Sequence, residues 1–423
     1  MEANFKRVQW ADTISIYEVN IRQYTPEGTF TAFQKQLPRL KEMGVEVLWF
    51  MPITSISEKL RKGSLGSYYA CSSYTKINPE FGTEQDLINL ISSAHELGMK
   101  VILDWVANHT GRQHEWMQNH PDWFTRDEQG NFIERNGWED VVDLNYNNDE
   151  MRAALIDAMQ YWVRNFKIDG FRCDMAHLVP LDFWLAARTA CDSITPLFWL
   201  AECEVPAYHQ VFDASYAWGW MHASEKVTKG HASVYELYQL LNEYEQYPAG
   251  AMKLFFTSNH DENSWNGTEY EKFGTAAKPW AVFTFTWKGI PLIYSGQELP
   301  NLKRLAFFDK DSIAWRPSPQ LHDFYKTLIT LRKSHTCITK GATFNLSTEA
   351  EKTVAYLRYH HQTATKEVIL VVLNVGDQLQ KIKLEHELLV GEFKNIFSGL
   401  TYTFNKALTF ELLPGDYLVY VKG

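Results

Sequence analysis

Acidic and basic side chains stand where short apolar runs of this chain end, and their types suit acid–base and nucleophilic chemistry. The stretch GFRCDMAH (170–177) places Asp174 at the point where its apolar character ends. Side chains at i and i+2 of a strand point the same way, so Arg172 can hold Asp174 ionised by a charge-assisted hydrogen bond. An ionised, oriented carboxylate can act as a covalent nucleophile. The pair could equally be a structural ion pair, and this stretch alone does not distinguish the two.

Three other strand-like runs end in the same kinds of residue. These are Asp104 and His109 after one run, Glu202 after another, and His260 with Asp261 after a third. In a parallel barrel the catalytic groups lie at the carboxyl ends of the strands, so these side chains would meet at one mouth. Clustered carboxylates repel one another and must be stabilised against that cost, which favours a functional site over packing.

Two close carboxyl groups that flank a glycosidic bond are the minimum equipment for glycoside hydrolysis. One attacks or assists at the anomeric carbon, and the other protonates the leaving oxygen. Glu202 is the predicted acid, because the apolar run FWLA before it indicates a drier setting and neighbouring negative charge raises proton affinity. Asp174 is the predicted nucleophile, and Asp261 is predicted to stabilise the oxocarbenium-like transition state.

The elements that must position these residues alternate between strand-like and helix-like segments over about the first 335 residues, which is typical of a parallel sheet covered by helices. The predicted strands are 14–25, 45–53, 100–109, 169–174, 198–202, 253–261 and 290–298, with 211–218 as a weaker one. The predicted helices include 30–44, 83–98, 150–166 and 320–334. Eight strands alternating with helices predict a (β/α)8 TIM barrel over residues 1–338.

Two segments do not fit the alternation. Residues 110–148 are too long for an ordinary connection of ~2 to 6 residues, and they are predicted to form a short excursion domain after the third strand. From residue 339 to residue 423 only short strands with turn signals remain, which predicts a C-terminal all-β sandwich domain.

Composition excludes several classes of protein. The net charge of −10 opposes a nucleic-acid partner, and the longest aliphatic run, 368–373, is far shorter than the ~18 residues of a membrane span. The first residues contain no signal-peptide core, which predicts a cytoplasmic protein. The five cysteines show no CxxC pair and are interpreted as reduced and buried. The aromatic content of 14% is compatible with a carbohydrate site, since sugar rings pack on aromatic faces.

Together these segments resemble those of the α-amylase family of glycoside hydrolases, and the resemblance covers nearly the whole chain. The matching segments are DWVANH (104–109), GFRCD (170–174), the strand end at Glu202, SNHDEN (258–263), VVDLN (141–145), GIPLIYSGQE (289–298) and SYYACSSYTKINPEFGT (67–83). The resemblance implies the same barrel, excursion and C-terminal sandwich. It also implies a retaining mechanism with Asp174 as nucleophile, Glu202 as acid/base and Asp261 as transition-state stabiliser.

The resemblance further implies residues that bind the sugar. Tyr69 would stack on the sugar beside the cleavage point, and His109, Arg172 and His260 would surround it. Asp104 is expected to be structural near the site. Retention predicts that the two working carboxyl groups lie ~5 to 5.5 Å apart. No cofactor is needed for this chemistry, and the expected partner is an oligo- or polysaccharide.

This chain departs from the family pattern at several positions. His177 and Leu178 stand where many members have Lys–His, so His177 is a candidate sugar contact or a structural histidine of the barrel rim. Val142 stands where the family usually has Pro, and Ser73 stands where many members have Asp. Met175 follows the nucleophile, at a position whose residue correlates with bond preference in neighbouring subfamilies, and it indicates none of them. Asn108 and Asp143 lie where calcium-binding members place ligands, so calcium is possible, but calcium needs ~6 to 8 oxygens and no metal is assigned.

The leading prediction is hydrolysis of α-1,4-linked glucans or maltooligosaccharides. Transglycosylation by the same intermediate and action on α-1,6 bonds or disaccharides are alternatives within the family. A catalytically silent glucan-binding protein is a distant alternative, because such a protein would be expected to lose at least one of the three acids. Candidates for lining the acceptor side, with core packing as the alternative for each, are Trp138, Trp218, Trp220 and Trp265.

Overall fold

A computed structural model describes residues 5–360 and 367–422. In chain order its first ten strands are β1 (Ile16–Val19), β2 (Val47–Phe50), β3 (Lys100–Trp105), β4 (His109–Gly111), β5 (Val141–Asp143), β6 (Gly170–Cys173), β7 (Phe198–Ala201), β8 (Ala214–Tyr216), β9 (Met252–Phe255) and β10 (Ile290–Tyr294). All except β4 and β5 form a closed parallel barrel in the order β1-β10-β9-β8-β7-β6-β3-β2. The predicted TIM barrel is therefore confirmed, including the weak strand that became β8.

Most of the described helices surround this barrel, and one lies in the excursion. They are α1 (Ile21–Tyr24), α2 (Phe30–Gln34), α3 (Leu37–Met43), α4 (Glu84–Glu96), α5 (Trp116–Asn119), α6 (Asp149–Phe166), α7 (Leu181–Asp192), α8 (Trp218–Thr228), α9 (Val234–Tyr244), α10 (Glu269–Phe273), α11 (Ala277–Thr286), α12 (His322–Ser334) and α13 (Thr336–Lys340). Local signals set many of their limits: Thr83 and Asp86 form a capping box at the start of α4, and Gly44 ends α3 with φ of 101°. Among the described residues, no helix is long and apolar enough to cross a bilayer.

Several predicted limits of strands and helices are wrong. The predicted strand 14–25 ends at Val19, because the Asn20 side chain accepts a hydrogen bond from the backbone N–H of Gln23 and starts α1. The predicted strand 253–261 ends at Phe255, and the predicted helix 30–44 is divided into α2 and α3. For the two strands, the apolar run continues into the following loop or helix, where it no longer indicates a strand.

The excursion begins as a two-stranded antiparallel sheet in which His109 of β4 pairs with Asp143 of β5. It contains α5 and a 3-10 turn, Pro121–Trp123. The sheet extends β3 beyond the barrel rim, so the excursion stands over the carboxyl ends of the barrel strands. Its strands therefore bring His109 and Val141 to the edge of the mouth.

The C-terminal strands are β11 (Ala342–Asn345), β12 (Thr353–Tyr359), β13 (Val368–Asn374), β14 (Gln380–Glu385), β15 (Gly391–Asn395), β16 (Thr401–Phe404), β17 (Ala407–Leu412) and β18 (Tyr417–Lys422). Six of them form one antiparallel sheet, β11-β12-β13-β18-β15-β16, and β14 pairs with β17 in a second. Side chains of both sheets share one buried apolar cluster, as the predicted sandwich requires. Tyr356 of β12 packs on Trp287 at a ring distance of 4.9 Å, which joins the sandwich to the barrel. Helix α13 crosses the predicted limit at residues 338 and 339, and the domain limits stay predictions.

One glycine is required at the centre of the site's framework. A Cβ at Gly170, the first residue of β6, would lie 2.2 Å from the carbonyl oxygen of Phe198 in β7. Only glycine permits this close approach of the two strands. Because β6 carries Arg172 and precedes Asp174, while β7 precedes Glu202, the contact sets how near the two predicted catalytic strands lie. All five cysteines are buried and unpaired, as predicted.

Candidate active site

A cavity of about 420 Å³ opens at the carboxyl ends of the barrel strands, beneath the excursion. All three predicted catalytic carboxylates line it, namely Asp174, Glu202 and Asp261, together with His109 and His260. The other lining residues include Tyr69, Trp138, Trp265, Phe307 and Phe308. The strand ends singled out in the sequence therefore do converge on one mouth, and aromatic faces surround them.

The backbone of Asp174 continues the hydrogen-bond ladder between β6 and β3. Its backbone N–H donates to the carbonyl of Trp105 in β3 at 3.0 Å, so it is held like a strand residue although it lies past the strand. Met175 then adopts a left-handed conformation with φ of 41°, which is strained for a side chain of this kind. This turn directs the Met175 N–H to Glu202 Oε2, at 2.9 Å. Met175 thus couples the two carboxylates through the backbone, a role that its side chain did not predict.

Arg172 is the centre of the charge network. Its Nη1 donates to Asp174 Oδ1 at 2.9 Å and to Asp104 Oδ1 at 2.8 Å. Its Nη2 lies 2.8 Å from Glu202 Oε2, and its Nε donates to the Tyr216 hydroxyl at 3.2 Å. The predicted Arg172–Asp174 contact is present, whereas the contact with Glu202 was not predicted. One fully buried guanidinium therefore faces three carboxylates and offsets their mutual repulsion.

The two central carboxyl groups differ in proton affinity. Burial raises the pKa of Glu202 to about 7, helped by the nearby Asp174 and opposed by Arg172. Burial also raises the pKa of Asp174, to about 6, against the lowering effect of Arg172. Near neutral pH, Asp174 is therefore the more ionised of the two and Glu202 the more protonated. Such a separation is what distinguishes a nucleophile from a general acid.

A second charge network holds Asp261. The His260 Nε2 lies 3.2 Å from Asp261 Oδ2 and 2.7 Å from the Tyr69 hydroxyl, and its Nδ1 is bonded to Glu18 Oε1. Burial alone would lower the pKa of His260, but Asp261 and Glu18 raise it well above its usual range. Burial in turn raises the pKa of Asp261, and His260 more than offsets this, so the pKa of Asp261 is lowered. Asp261 and Glu18 thus favour the protonated form of His260, although burial raises the pKa of Glu18 as well.

Glu18 is a functional residue that sequence reasoning missed. It lies in the middle of β1, is fully buried and supports His260 from behind. A carboxylate inside the apolar run IYEV was the available signal, since an acid is rarely buried without a partner.

Tyr69 and His109 flank the carboxylates. The Tyr69 ring is stacked on His260 at 5.3 Å and 18°, and its hydroxyl donates to Asp104 Oδ2 at 3.1 Å. His109 lines the cavity 5.2 Å from the Trp138 ring, and burial lowers its pKa to about 4. It is therefore neutral near pH 7 and can both donate and accept hydrogen bonds.

Asp104 lies behind the cavity and does not line it. Its oxygens accept hydrogen bonds from Trp49, Tyr69 and Arg172, which agrees with the predicted structural position. His177 lies in a 3-10 turn, Ala176–Leu178, is exposed and is not among the residues that line the cavity.

Two of the four candidate tryptophans line the cavity and two do not. Trp138 and Trp265 line the cavity. Trp220 is fully buried against Phe283, and Trp218 packs on Tyr216 and does not line the cavity. For Trp220 the core-packing alternative is the right one.

Trp265 reaches the mouth because the chain forms a π-helical turn, Glu262–Asn266, directly after Asp261. The turn is held by a buried ion pair of Glu262 with Lys272. The Trp265 side chain bonds to Asp261 and its ring, 50% exposed, packs on Phe307 at 5.2 Å. Such turns occur frequently at functional sites.

Asn108 and Asp143, the two possible calcium ligands, both have protein partners. The Asn108 amide nitrogen lies 3.2 Å from His109 Nδ1, and one oxygen of the fully buried Asp143 is bonded to Arg135 Nε at 2.7 Å. The other Asp143 oxygen has no hydrogen-bond partner in the described part of the chain. No group of three or more His, Cys, Asp or Glu in residues 5–360 and 367–422 could hold a metal ion. Arg135 thus supplies a positive charge at the Asp143 carboxylate, where calcium would need further oxygen ligands, ~6 to 8 in all.

Comparison with known proteins places this site in a known context. The model of the family described as "Alpha amylase, catalytic domain" matches residues 4–137 and 119–195. A noncanonic maltogenic α-amylase, AmyB from Thermotoga neapolitana, is 32% identical, with 97% of this chain and 99% of that one covered and a TM-score of 0.88. An α-amylase from Lactobacillus plantarum is 29% identical, with 98% and 99% covered and a TM-score of 0.85.

A curated relative gives a more partial match. The α-amylase MalA of Haloarcula japonica is 27% identical over 395 residues, which include 87% of this chain. The chain spans 56% of that relative's own length.

Proposed function

The chain belongs to the α-amylase family of glycoside hydrolases, and from this premise we propose that it is a retaining hydrolase of α-1,4-linked glucans or maltooligosaccharides. The observation that carries the proposal is the single guanidinium of Arg172, which holds Asp174 and Glu202 in one cavity. Their proton affinities differ in the direction that the two roles need.

In the first step the ionised Asp174 attacks the anomeric carbon and forms a covalent glycosyl ester. Glu202 gives its proton to the leaving glycosidic oxygen at the same time. Glu202, now a carboxylate, then takes a proton from a water molecule, and the water oxygen displaces Asp174 from the anomeric carbon. Two inversions give net retention of the α configuration.

The surrounding groups stabilise the charge that develops during these steps. Asp261 is held ionised by His260 and faces the cavity. Its negative charge there stabilises the positive charge of the oxocarbenium-like transition state. The Tyr69 ring provides a stacking face for the donor sugar, and the neutral His109 and the cationic His260 supply hydrogen-bond donors for its hydroxyl groups. Asp104 positions Arg172 and Tyr69 without contacting the sugar.

The test is a proton NMR time course of maltoheptaose with the purified protein beside Asp174→Asn. New α-anomeric ends that disappear with Asp174→Asn would support the proposal, and products longer than the substrate would change it to a transglycosylase. Asp157→Asn, at an exposed position of α6, is the matched control and should behave like the unchanged protein. Intact maltoheptaose in every sample would contradict the proposal and favour α-1,6 or disaccharide substrates, or a silent glucan-binding protein.

A further inference from the structure

The proposed chemistry, on which this inference rests, defines the direction in which a glucan lies in the cavity. The leaving oxygen faces Glu202, so the part of the chain that is released with it lies on the Glu202 side. The donor part, whose anomeric carbon bonds to Asp174, lies on the other side, against Tyr69 and His260.

Aromatic rings form the wall on the donor side. The Phe307 ring lies 6.2 Å from Tyr69 and at 18° to it, so the two are nearly parallel. Trp265, which the sequence made a candidate for the acceptor side, lies on this donor-side wall instead, 5.2 Å from Phe307 and 5.5 Å from Phe308. All four rings line the cavity, and they extend from the catalytic centre toward the loop that follows β2.

That loop, residues 58–66, is fastened to the segment that carries these rings, and we name it the donor loop. The backbone N–H and hydroxyl of Ser64 both donate to Asp309 Oδ1, at 2.7 and 2.6 Å, and the Leu65 N–H donates to the Phe308 carbonyl at 2.9 Å. A Cβ at Gly63 would lie 2.6 Å from Phe308 Cβ and 2.9 Å from the Phe308 carbonyl oxygen, so the Gly63 backbone lies directly against Phe308. No space for a sugar ring remains between them.

A buried arginine fixes the base of the same loop. The Arg22 Nη1 donates to the carbonyls of Gly66 at 2.9 Å and Phe307 at 3.3 Å, and its Nε pairs with Glu80 at 2.8 Å. Arg22 is fully buried, so water competes little for its hydrogen bonds. The donor loop and the aromatic segment therefore form one rigid wall.

Lys62 extends this wall to the excursion. Its Nζ lies 3.6 Å from Asp140 Oδ1, and both residues line the cavity. Because Lys62 is half-buried and the distance is long, the Lys62–Asp140 ion pair contributes little to stability. Its effect is steric, since the two side chains lie across the space between the donor loop and the excursion. His177 and Val205, three residues beyond Asp174 and Glu202 along the chain, are in contrast exposed.

We propose that the donor end of the cavity is closed by the donor loop, the aromatic segment and the Lys62–Asp140 pair. A glucan must then enter with its non-reducing end first, and the enzyme removes a short maltooligosaccharide from that end. The cavity of about 420 Å³ agrees with a short donor segment, since it lies low in the range of ~300 to 1,000 Å³ for ligand pockets. The remainder of the glucan extends past Glu202 toward solvent.

The test compares two substrates that differ only at the non-reducing end. One is p-nitrophenyl α-maltoheptaoside, and the other carries a 4,6-O-ethylidene group on its terminal glucose. The labelled product is identified by mass spectrometry after chromatography, without a coupling enzyme. We expect the blocked substrate to be cleaved at least about tenfold more slowly, because a closed pocket does not accommodate the added group.

Two variants of one residue separate an obstacle from an ion pair. Lys62→Ala removes the obstacle and should raise kcat/KM for the blocked substrate toward that for the free one. Lys62→Met keeps the length of the side chain without its charge and should still discriminate. Lys59→Ala, at an exposed position of the donor loop that does not line the cavity, is the control for lost charge.

The outcomes are distinct. Equal rates on both substrates with the unchanged protein would overturn the closed donor end and leave the proposed function intact. No cleavage of either substrate would overturn the proposed function, and the inference with it. Unchanged discrimination by Lys62→Ala would overturn the assignment of Lys62 as the obstacle.

Discussion

Replacing the proposed acid, Glu202→Gln, tests the site most directly, because the two carboxyl groups are predicted to titrate in sequence. Burial raises the pKa of Asp174 to about 6 and that of Glu202 to about 7. The active form has Asp174 ionised and Glu202 protonated. The pH dependence of kcat/KM on maltoheptaose should therefore be a narrow bell, with an acid limb near pH 6 and an alkaline limb near pH 7.

The magnitude follows from the same values. One unit above a pKa of about 7, roughly one tenth of the Glu202 carboxyl is still protonated, so activity at pH 8 should be about tenfold below its limit. Glu202→Gln cannot donate a proton and should lose ~10²- to 10⁴-fold in kcat/KM on maltoheptaose, as for other general acids. Its alkaline limb should also disappear, because the group that produced it is gone.

A substrate that needs no acid provides the discriminating assay. Fluoride leaves without a proton, so formation of the glycosyl ester from α-maltosyl fluoride should be much less reduced in Glu202→Gln. Release of the ester needs a base, and azide, which needs none, should restore turnover and give an α-glycosyl azide. Glu243→Gln, at an exposed position of α9, is the matched control and should keep the bell. Equal losses on maltoheptaose and on the fluoride, or a retained alkaline limb, would refute the reasoning.

Three further predictions follow from contacts outside the carboxylate pair. Glu18→Gln should destabilise the fold by about 2 kcal/mol near pH 6 and by less near pH 9 in urea unfolding, since it removes one of the two carboxylates that contact the buried His260. The raised pKa of His260 contributes stability that is fully present below its unfolded pKa and is lost as the pH rises through the folded pKa, so a loss independent of pH would contradict this. Gly170→Ala should destabilise by about 2 kcal/mol or more because the added Cβ meets the Phe198 carbonyl, and an unchanged Tm would show that β6 and β7 can separate without cost. Treatment with EDTA should change neither Tm nor activity, because Arg135 is paired with Asp143, and a loss that calcium restores would contradict the donor-set argument.

The sequence by itself determined where the barrel strands end and which charged residues follow them. Apolar runs of strand length indicate buried parallel strands. Asp174, Glu202 and Asp261 each lie at or beyond the end of such a run. Because all parallel strands of a barrel point the same way, these positions imply one shared mouth without knowledge of any side-chain contact. The sequence did not predict where β1 ends. Asn20 ends this strand by capping α1, and this local signal lies inside a long apolar run.

Only the tertiary structure decided which groups meet across distant segments. Glu18 and His260 are 242 residues apart, and the donor loop meets Phe308 and Asp309 about as far along the chain. The Lys62–Asp140 pair joins a barrel loop to the excursion, and Arg135 lies at Asp143 within the excursion. Local periodicity reports the face on which a side chain lies, whereas the length of a cleft depends on how separate loops pack together. For that reason the chemistry could be predicted from strand ends, while the closed donor end could not.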